Sequence, residues 1–126
     1  MQVKIKELTG KELSWAFHEV RFAEMKIDGK HVKGWVLDDH KNGLVVREVT
    51  DCAETFVELI TEKKVGVEPI RGSSEGSWIA KKMSISVIGK TPIEAVLRAS
   101  IMNHYRLNDS DQTVFVPDEV NALALI

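Results

Sequence analysis

Short segments of the chain alternate between apolar and polar residues, while longer segments repeat their apolar residues every three or four positions. The first pattern is typical of half-buried strands, and the second of helices that bury one face. The alternating segments predict strands at 3–7, 31–37, 44–49, 81–87 and 113–116, and residues 65–70 also suit an extended segment. The helical spacing predicts helices that follow Thr9, cover 51–64 and follow Thr91.

The predicted helix starts carry capping residues. A hydroxyl or carboxyl residue precedes a glutamate by three positions at Thr9–Glu12, Asp51–Glu54 and Thr91–Glu94, and at this spacing both side chains can bond free backbone N–H groups. Pro92, at the first helical position, adds a second start signal. The segment 51–64 keeps an alternative, because its β-branched and aromatic residues also suit a strand.

The order of these segments predicts the fold class. Asn42-Gly43 is a strong turn signal between two predicted strands, which are therefore expected to form a hairpin. Hairpins beside separated helices predict an α+β fold, a single small domain over 1–126 with a mainly antiparallel sheet and two or three helices packed on it. Residues 71–77, rich in glycine and serine, predict one long flexible loop.

Composition narrows the classes of protein. The 126 residues, 44% of them hydrophobic, can fill a core, which excludes a disordered or collagen-like chain. The single cysteine excludes a disulfide framework and suits a reducing cytoplasm. A net charge of −2 argues against generic nucleic-acid binding. No apolar segment is long enough for a membrane span, and Met1–Lys6 lacks the apolar core of a signal peptide.

Catalytic and metal-binding motifs are scarce. Gly72–Gly76 has the spacing of a nucleophile elbow without its strand and helix context, so a flexible loop is the simpler interpretation. The four histidines are not spaced as metal ligands. Cys52, at a predicted helix start, is either a reactive thiol or a small buried side chain. We therefore expect no catalytic residue, no metal and no cofactor.

Aromatic residues mark two candidate contact surfaces. Trp15 and Phe22 lie seven positions apart, on a second apolar stripe of the first predicted helix. This stripe predicts a homo-oligomer whose interface includes both residues, with the core of the same chain as the alternative. Trp78 follows the predicted flexible loop, which favours a ligand contact, although filling the core would also explain it.

Three arginines are candidates for holding an anion, because guanidinium binds phosphate or carboxylate through two parallel hydrogen bonds. Arg71 begins the predicted loop, and Arg47 lies on a predicted strand. Arg98 lies one helical turn after Glu94, so an ion pair within the helix is its alternative role. Thr91 either caps its helix alone or leaves N–H groups facing an anion. The candidate ligand-binding residues are Arg47, Glu48, Arg71, Trp78, Thr91 and Arg98.

Several segments, taken in order, carry a family resemblance. They are Glu7-Leu8-Thr9-Gly10 with Leu13-Ser14-Trp15-Ala16, Gly43-Leu44-Val45-Val46-Arg47-Glu48, Trp78-Ile79-Ala80, Gly89-Lys90-Thr91-Pro92-Ile93-Glu94-Ala95 and Val114-Phe115-Val116-Pro117. Together they resemble the NinX family of short proteins from lambdoid phages and prophages. The arginine and glutamate of the second segment stand in the reverse of the family's usual order, and residues 50–75 look like an expansion. The resemblance implies a phage accessory protein acting in the cytoplasm of the infected bacterium, with no enzymatic role to carry over.

Three functions remain open from the sequence. The first, which we expect, is a non-catalytic binding module that counteracts host defence by sequestering a small molecule such as a signalling nucleotide, or a host protein. The second is an accessory factor in phage nucleic-acid metabolism, which the resemblance implies because related genes lie near recombination functions. The composition opposes it, since the net charge is −2 and the only basic pairs are Lys63-Lys64 and Lys81-Lys82. The third is a small enzyme with Asp38, Asp39 or Glu48 as general base.

Overall fold

The computed structural model describes residues 1–24, 36–39, 43–46, 48–72, 77–122 and 124–125. The strands are β1 (Gln2–Lys4), β2 (Val36–Asp39), β3 (Gly43–Val46), β4 (Gly66–Pro69), β5 (Trp78–Lys82), β6 (Ile85–Gly89), β7 (Thr113–Phe115) and β8 (Ala124–Leu125). The helices are α1 (Gly10–Glu24), α2 (Ala53–Thr61) and α3 (Pro92–His104), with 3₁₀ turns at Ile5–Glu7 and Asp118–Ala122. The predicted α+β class is confirmed.

The described strands pair in three small sheets that are mainly antiparallel. Strands β4, β5 and β6 form a three-stranded antiparallel meander, and β1 pairs antiparallel with β7. The predicted hairpin is confirmed, because β2 and β3 pair antiparallel, with Asp39 opposite Gly43. Strand β8 then lies parallel to β3 on its other edge. The part of the predicted strand at 31–35 lies outside the described residues.

Helix α3 lies at the centre of the packing. It covers one face of the β4–β6 sheet, and α1 and α2 both pack against it. Because it has neighbours on several sides, it buries more than the one face that helices with this spacing are expected to bury. The buried residues of this helix are Ala95, Val96, Leu97, Arg98, Ala99, Ile101 and Met102. A helix buried around most of its circumference is typical of the middle of a core.

The single strand predicted at 81–87 is wrong. Strand β5 ends at Lys82, and β6 begins at Ile85 after a two-residue turn. Met83 in that turn has a φ of +55°, a left-handed conformation that favours glycine or asparagine, and its side chain is 92% exposed. The turn therefore lacks the glycine or asparagine by which a hairpin is recognised in a sequence. Its methionine instead fits the alternation of apolar and polar residues that predicts one continuous strand.

Two further predicted boundaries are wrong, and one ambiguity is resolved. The first strand ends at Lys4 and continues as a 3₁₀ turn, and β3 ends at Val46 rather than at residue 49. The segment 51–64 is a helix and not a strand, and residues 65–70 contain the predicted extended segment as β4. Helix α2 is capped by Cys52 rather than by Asp51, with no side-chain hydrogen bond at the cap.

Candidate functional site

The first two turns of α3 hold a group of polar residues, Thr91, Glu94 and Arg98, which we call the Arg98 cluster. The Thr91 hydroxyl oxygen accepts from the Glu94 N–H at 3.1 Å, so the predicted helix cap is confirmed. The Glu94 carboxylate accepts from the Lys90 N–H at 3.2 Å and lies 3.0 Å from the Arg98 guanidinium. The ion pair predicted within the helix is therefore present.

The Arg98 guanidinium is also bonded to two other segments of the chain. Its Nε and Nη2 atoms donate to the Leu8 carbonyl at 3.2 and 2.9 Å, and Nη1 donates to the Ile88 carbonyl at 2.8 Å. Burial lowers the pKa of Arg98, and the Glu94 carboxylate opposes that shift. These contacts hold α3, β6 and the segment after β1 together, and a bound ligand would have to compete with them. Ligand binding by Arg98 and Thr91 stays a prediction.

Trp78 lies at the same end of the β4–β6 sheet as the Arg98 cluster. It faces Gly89 across the β5–β6 pair, and its half-buried side chain packs against the core. Strand β6 approaches α3 so closely there that a Cβ on Gly89 would stand 2.5 Å from the Ala95 backbone nitrogen. The packing agrees with the core alternative for Trp78, and its ligand contact stays a prediction.

The other predicted ligand residues lie outside the Arg98 cluster. Arg71 is exposed in the turn after β4, and Arg47 lies outside the described residues. Glu48 is exposed and accepts from the Thr50 hydroxyl at 2.8 Å. The structure therefore brings Trp78, Thr91 and Arg98 to one region, and Arg71 follows the strand that pairs with Trp78 at the same end of the sheet. Asp38 and Asp39, the alternative general bases, lie on β2, and their side chains are outside the described part.

One of the two residues of the predicted oligomer interface on α1 is buried in its own chain. Trp15 is only 8% exposed and belongs to the core of its own chain, together with Leu13, Ala16 and Phe17. So little exposed area leaves a partner subunit little of the indole to contact. The core alternative fits this burial, while the interface stays a prediction and the side chain of Phe22 lies outside the described part.

Cys52 stands half-exposed at the start of α2. The Thr55 hydroxyl donates to its Sγ atom at 3.3 Å, and this bond, with backbone N–H groups of the first turn, lowers the pKa of the thiol. Neither sequence alternative is met in full, because the thiol is only partly buried and, among the residues that the structure describes, no base is bonded to it. Among the described residues no group of three His, Cys, Asp or Glu side chains could hold a metal ion.

A cleft of about 150 Å³ opens between the three helices and the end of β5. Sequence reasoning did not place a site there. Phe17 and Val20 of α1 and Leu59 of α2 supply its apolar surface. The polar residues that line it are Arg21, Glu58, Lys63, Lys82, Ser100 and Asn103. We call it the basic cleft.

Arg21 and Glu58 form an ion pair across the basic cleft. Arg21 Nη2 donates to Glu58 Oε2, and the guanidinium carbon lies 5.8 Å from the centre of the Phe17 ring. Both side chains of the pair are 34% exposed, so the guanidinium is held in place but remains open to solvent on one side. A fixed, partly exposed guanidinium can accept a second anionic partner through its remaining N–H groups.

One lysine from each of the two basic pairs, Lys63 and Lys82, lies at the rim of the basic cleft. Lys82 Nζ donates to the Lys63 carbonyl oxygen, which joins the end of β5 to the segment after α2. Ser100 and Asn103 of α3 add uncharged polar groups, and the Ser100 hydroxyl donates to the Val96 carbonyl at 3.0 Å. Three cations and one carboxylate therefore line one concave surface, although the whole chain carries a net charge of −2.

Weak sequence signals for this site did exist. Phe17 and Arg21 are four positions apart, the spacing at which helix side chains stack, and Lys63 and Lys82 each belong to one of the chain's basic pairs. No local pattern in the sequence indicates that α1, α2 and β5 pack around one cleft.

Comparison of the chain with protein-family models, curated proteins and solved structures gives no match. The resemblance to the NinX family therefore stays a prediction. No helix among the described residues is long and apolar enough to cross a membrane.

Proposed function

We propose that this protein is a non-catalytic binding module that holds a small anionic molecule in the basic cleft. The observation that carries the proposal is the convergence of Arg21, Lys63 and Lys82 on one concave surface of a chain whose net charge is negative. Cations gathered in a cleft raise the local concentration of anions and favour their binding. Concavity with an apolar floor and a few polar groups is typical of small-molecule sites.

The groups that line the basic cleft are suited to holding a ligand. Ammonium and guanidinium groups donate hydrogen bonds to anionic oxygens, and the Asn103 amide can both donate and accept. The Ser100 hydroxyl already donates a hydrogen bond to the Val96 carbonyl of its own helix, so its oxygen is left to accept one from a ligand. Of the two expected ligands, a signalling nucleotide and a host protein, the nucleotide always carries negative charge, which suits a surface with three cations. The resemblance to phage accessory proteins adds the expectation that such a module removes a signalling nucleotide in an infected cell.

Titration of the protein with adenosine monophosphate and with pyrophosphate, followed by amide NMR shifts, tests the proposal. We expect Lys82→Gln to weaken binding about tenfold, because one charge-assisted hydrogen bond is lost. Lys81→Gln is the matched control, since Lys81 lies on the opposite face of the sheet and contacts Glu68 at 3.4 Å. The proposal is wrong if neither anion shifts the cleft amides, or if the two lysine variants weaken binding equally.

Nucleic-acid binding is the second candidate function, because Lys63 and Lys82, one from each basic pair, both line the basic cleft. Neighbouring lysines can contact successive phosphates of a strand, and such binding weakens steeply as salt is added. A gel shift of labelled single-stranded DNA that disappears with salt and with Lys82→Gln would support it. No shift at low salt would exclude it.

A further inference from the structure

The uncharged side of the basic cleft narrows the class of ligand. Ser100 and Asn103 of α3 line that side, next to the apolar floor formed by Phe17, Val20 and Leu59. We infer that this side receives the base of a nucleotide, and that Asn103 bonds to the edge of the base. The inference rests on the proposed function and adds to it the class of ligand and the residue that selects it.

The Asn103 amide is the first argument. It lines the cleft at a half-buried position, and among the residues that the structure describes its side chain has no hydrogen-bond partner. A ligand that displaces water from this amide must replace both kinds of hydrogen bond, because the amide donates through its nitrogen and accepts through its oxygen. A nucleobase edge carries a donor beside an acceptor, and an asparagine amide binds such an edge through two parallel hydrogen bonds. A fully ionised inorganic anion offers acceptors alone.

Ser100 supports the same interpretation. It lies three positions before Asn103, so the two side chains stand one turn apart on the same face of α3. Its hydroxyl donates to the Val96 carbonyl at 3.0 Å, which leaves the oxygen as an acceptor. This side of the cleft therefore needs a ligand that donates hydrogen bonds, and the exocyclic amino group of adenine has two N–H groups to give.

The apolar floor is the third argument. Phe17 and Val20 of α1 and Leu59 of α2 offer carbon surface, against which the flat faces of a base can pack. The hydroxyl groups of a sugar phosphate would lose their hydration there without gaining a partner. The Arg21 guanidinium, whose carbon lies 5.8 Å from the centre of the Phe17 ring, adds a planar group of the kind that stacks on bases.

Binding of adenosine monophosphate and of ribose 5-phosphate, measured by NMR titration of the intact protein, tests the inference. Both ligands carry a ribose with a 5′-phosphate, and only adenosine monophosphate carries a base. We expect adenosine monophosphate to bind at least tenfold more tightly, because only its base bonds to Asn103 and covers the apolar floor. Equal affinities would overturn the inference and leave an anion-binding module.

Asn103→Leu tests the role of this residue, because it keeps the approximate size of the side chain and removes its polar groups. We expect it to weaken binding of adenosine monophosphate about tenfold and of ribose 5-phosphate by less than about twofold. Retained binding of ribose 5-phosphate also shows that the variant is folded. Asn108→Leu is the matched control, since Asn108 is exposed beyond the end of α3, and it should leave both affinities unchanged.

Ser100→Ala provides a second variant that removes only a hydroxyl group. We expect it to weaken adenosine monophosphate about threefold and to leave ribose 5-phosphate unchanged. If Asn103→Leu and Ser100→Ala weaken both ligands equally, these residues serve the shape of the cleft and the inference is wrong. If neither ligand shifts the cleft amides of the unaltered protein, the proposed function fails as well.

Discussion

The Arg98 cluster and the basic cleft use the same kinds of charged residue in opposite ways. In the Arg98 cluster the side chains of Arg98 and Glu94 are 7% and 15% exposed, and their hydrogen bonds go to the chain itself. In the basic cleft the paired side chains of Arg21 and Glu58 are each 34% exposed and line a cavity. The comparison teaches that an arginine near a clear sequence motif, such as Arg98, can stabilise the fold, while an arginine without such a motif, such as Arg21, can line a cleft.

The largest expected effect concerns Arg98. Arg98→Ala would remove the cation paired with Glu94 and the donor to the carbonyls of Leu8 and Ile88, so we expect the free energy of unfolding to fall by about 3–5 kcal/mol. Urea unfolding measures it, with Arg71→Ala as the exposed control, expected within about 0.5 kcal/mol. A loss below about 1 kcal/mol would remove the structural role assigned to Arg98.

Gly89 tests the close approach that positions the Arg98 cluster. A Cβ there would meet the Ala95 backbone at 2.5 Å, so we expect Gly89→Ala to lower stability by about 2–3 kcal/mol. Gly66→Ala is the control in the same sheet, because its Cβ would stand 3.7 Å from the Lys81 carbonyl oxygen, an ordinary contact. Thermal unfolding distinguishes them, and similar melting temperatures would contradict the packing argument.

The helix cap of the Arg98 cluster should have a smaller effect. Thr91→Ala removes the acceptor of the Glu94 N–H, and we expect it to cost about 1 kcal/mol. Thr61→Ala is the matched control. Thr61 is exposed at the C-terminal end of α2, where its hydroxyl donates to the Val57 carbonyl and caps no free N–H group. Chemical unfolding should show a lower free energy of unfolding for Thr91→Ala and no change for Thr61→Ala. An equal decrease in both variants would argue against a specific capping role.

The smallest expected effect on stability is in the basic cleft. A double-mutant cycle of Arg21→Gln and Glu58→Gln should give a coupling energy below about 1 kcal/mol, because both side chains are partly exposed. Arg21→Gln should nevertheless weaken binding of adenosine monophosphate about tenfold, since a guanidinium donor is lost. A coupling of several kcal/mol, with unchanged anion binding, would mean that the pair serves the fold as Arg98 does.

Local signals predicted the local structure. The Thr91–Pro92–Glu94 start of α3 was evident because the cap, the proline and the glutamate act within one helical turn. The turn at Met83 was missed because the fold imposes a left-handed conformation on a residue that does not favour it. The pairing of β8 with β3 was missed because no sequence pattern specifies a parallel partner so far along the chain.

The sites show the same limit. The sequence identified Arg98 and Thr91 as notable residues, but whether a guanidinium bonds to carbonyls or to a ligand depends on which segments pack around it. The basic cleft is built from α1, α2, α3 and β5, and each contributes side chains that are ordinary in isolation. Such a site is a property of the tertiary structure, so the sequence alone could not have shown it.

The pairing of β1 with β7 has a consequence for folding. The Thr113 hydroxyl bonds to the Gln2 side chain across 111 positions of sequence, so joining these strands closes a loop of nearly the whole chain. The entropy of loop closure opposes such a contact until other elements have shortened the effective loop. We therefore expect the β5–β6 hairpin and α3 to assemble early. The ribbon of β1 and β7 would then be completed late, so Val3 would lack its cross-strand neighbour in a nascent chain until Val114 has been synthesised.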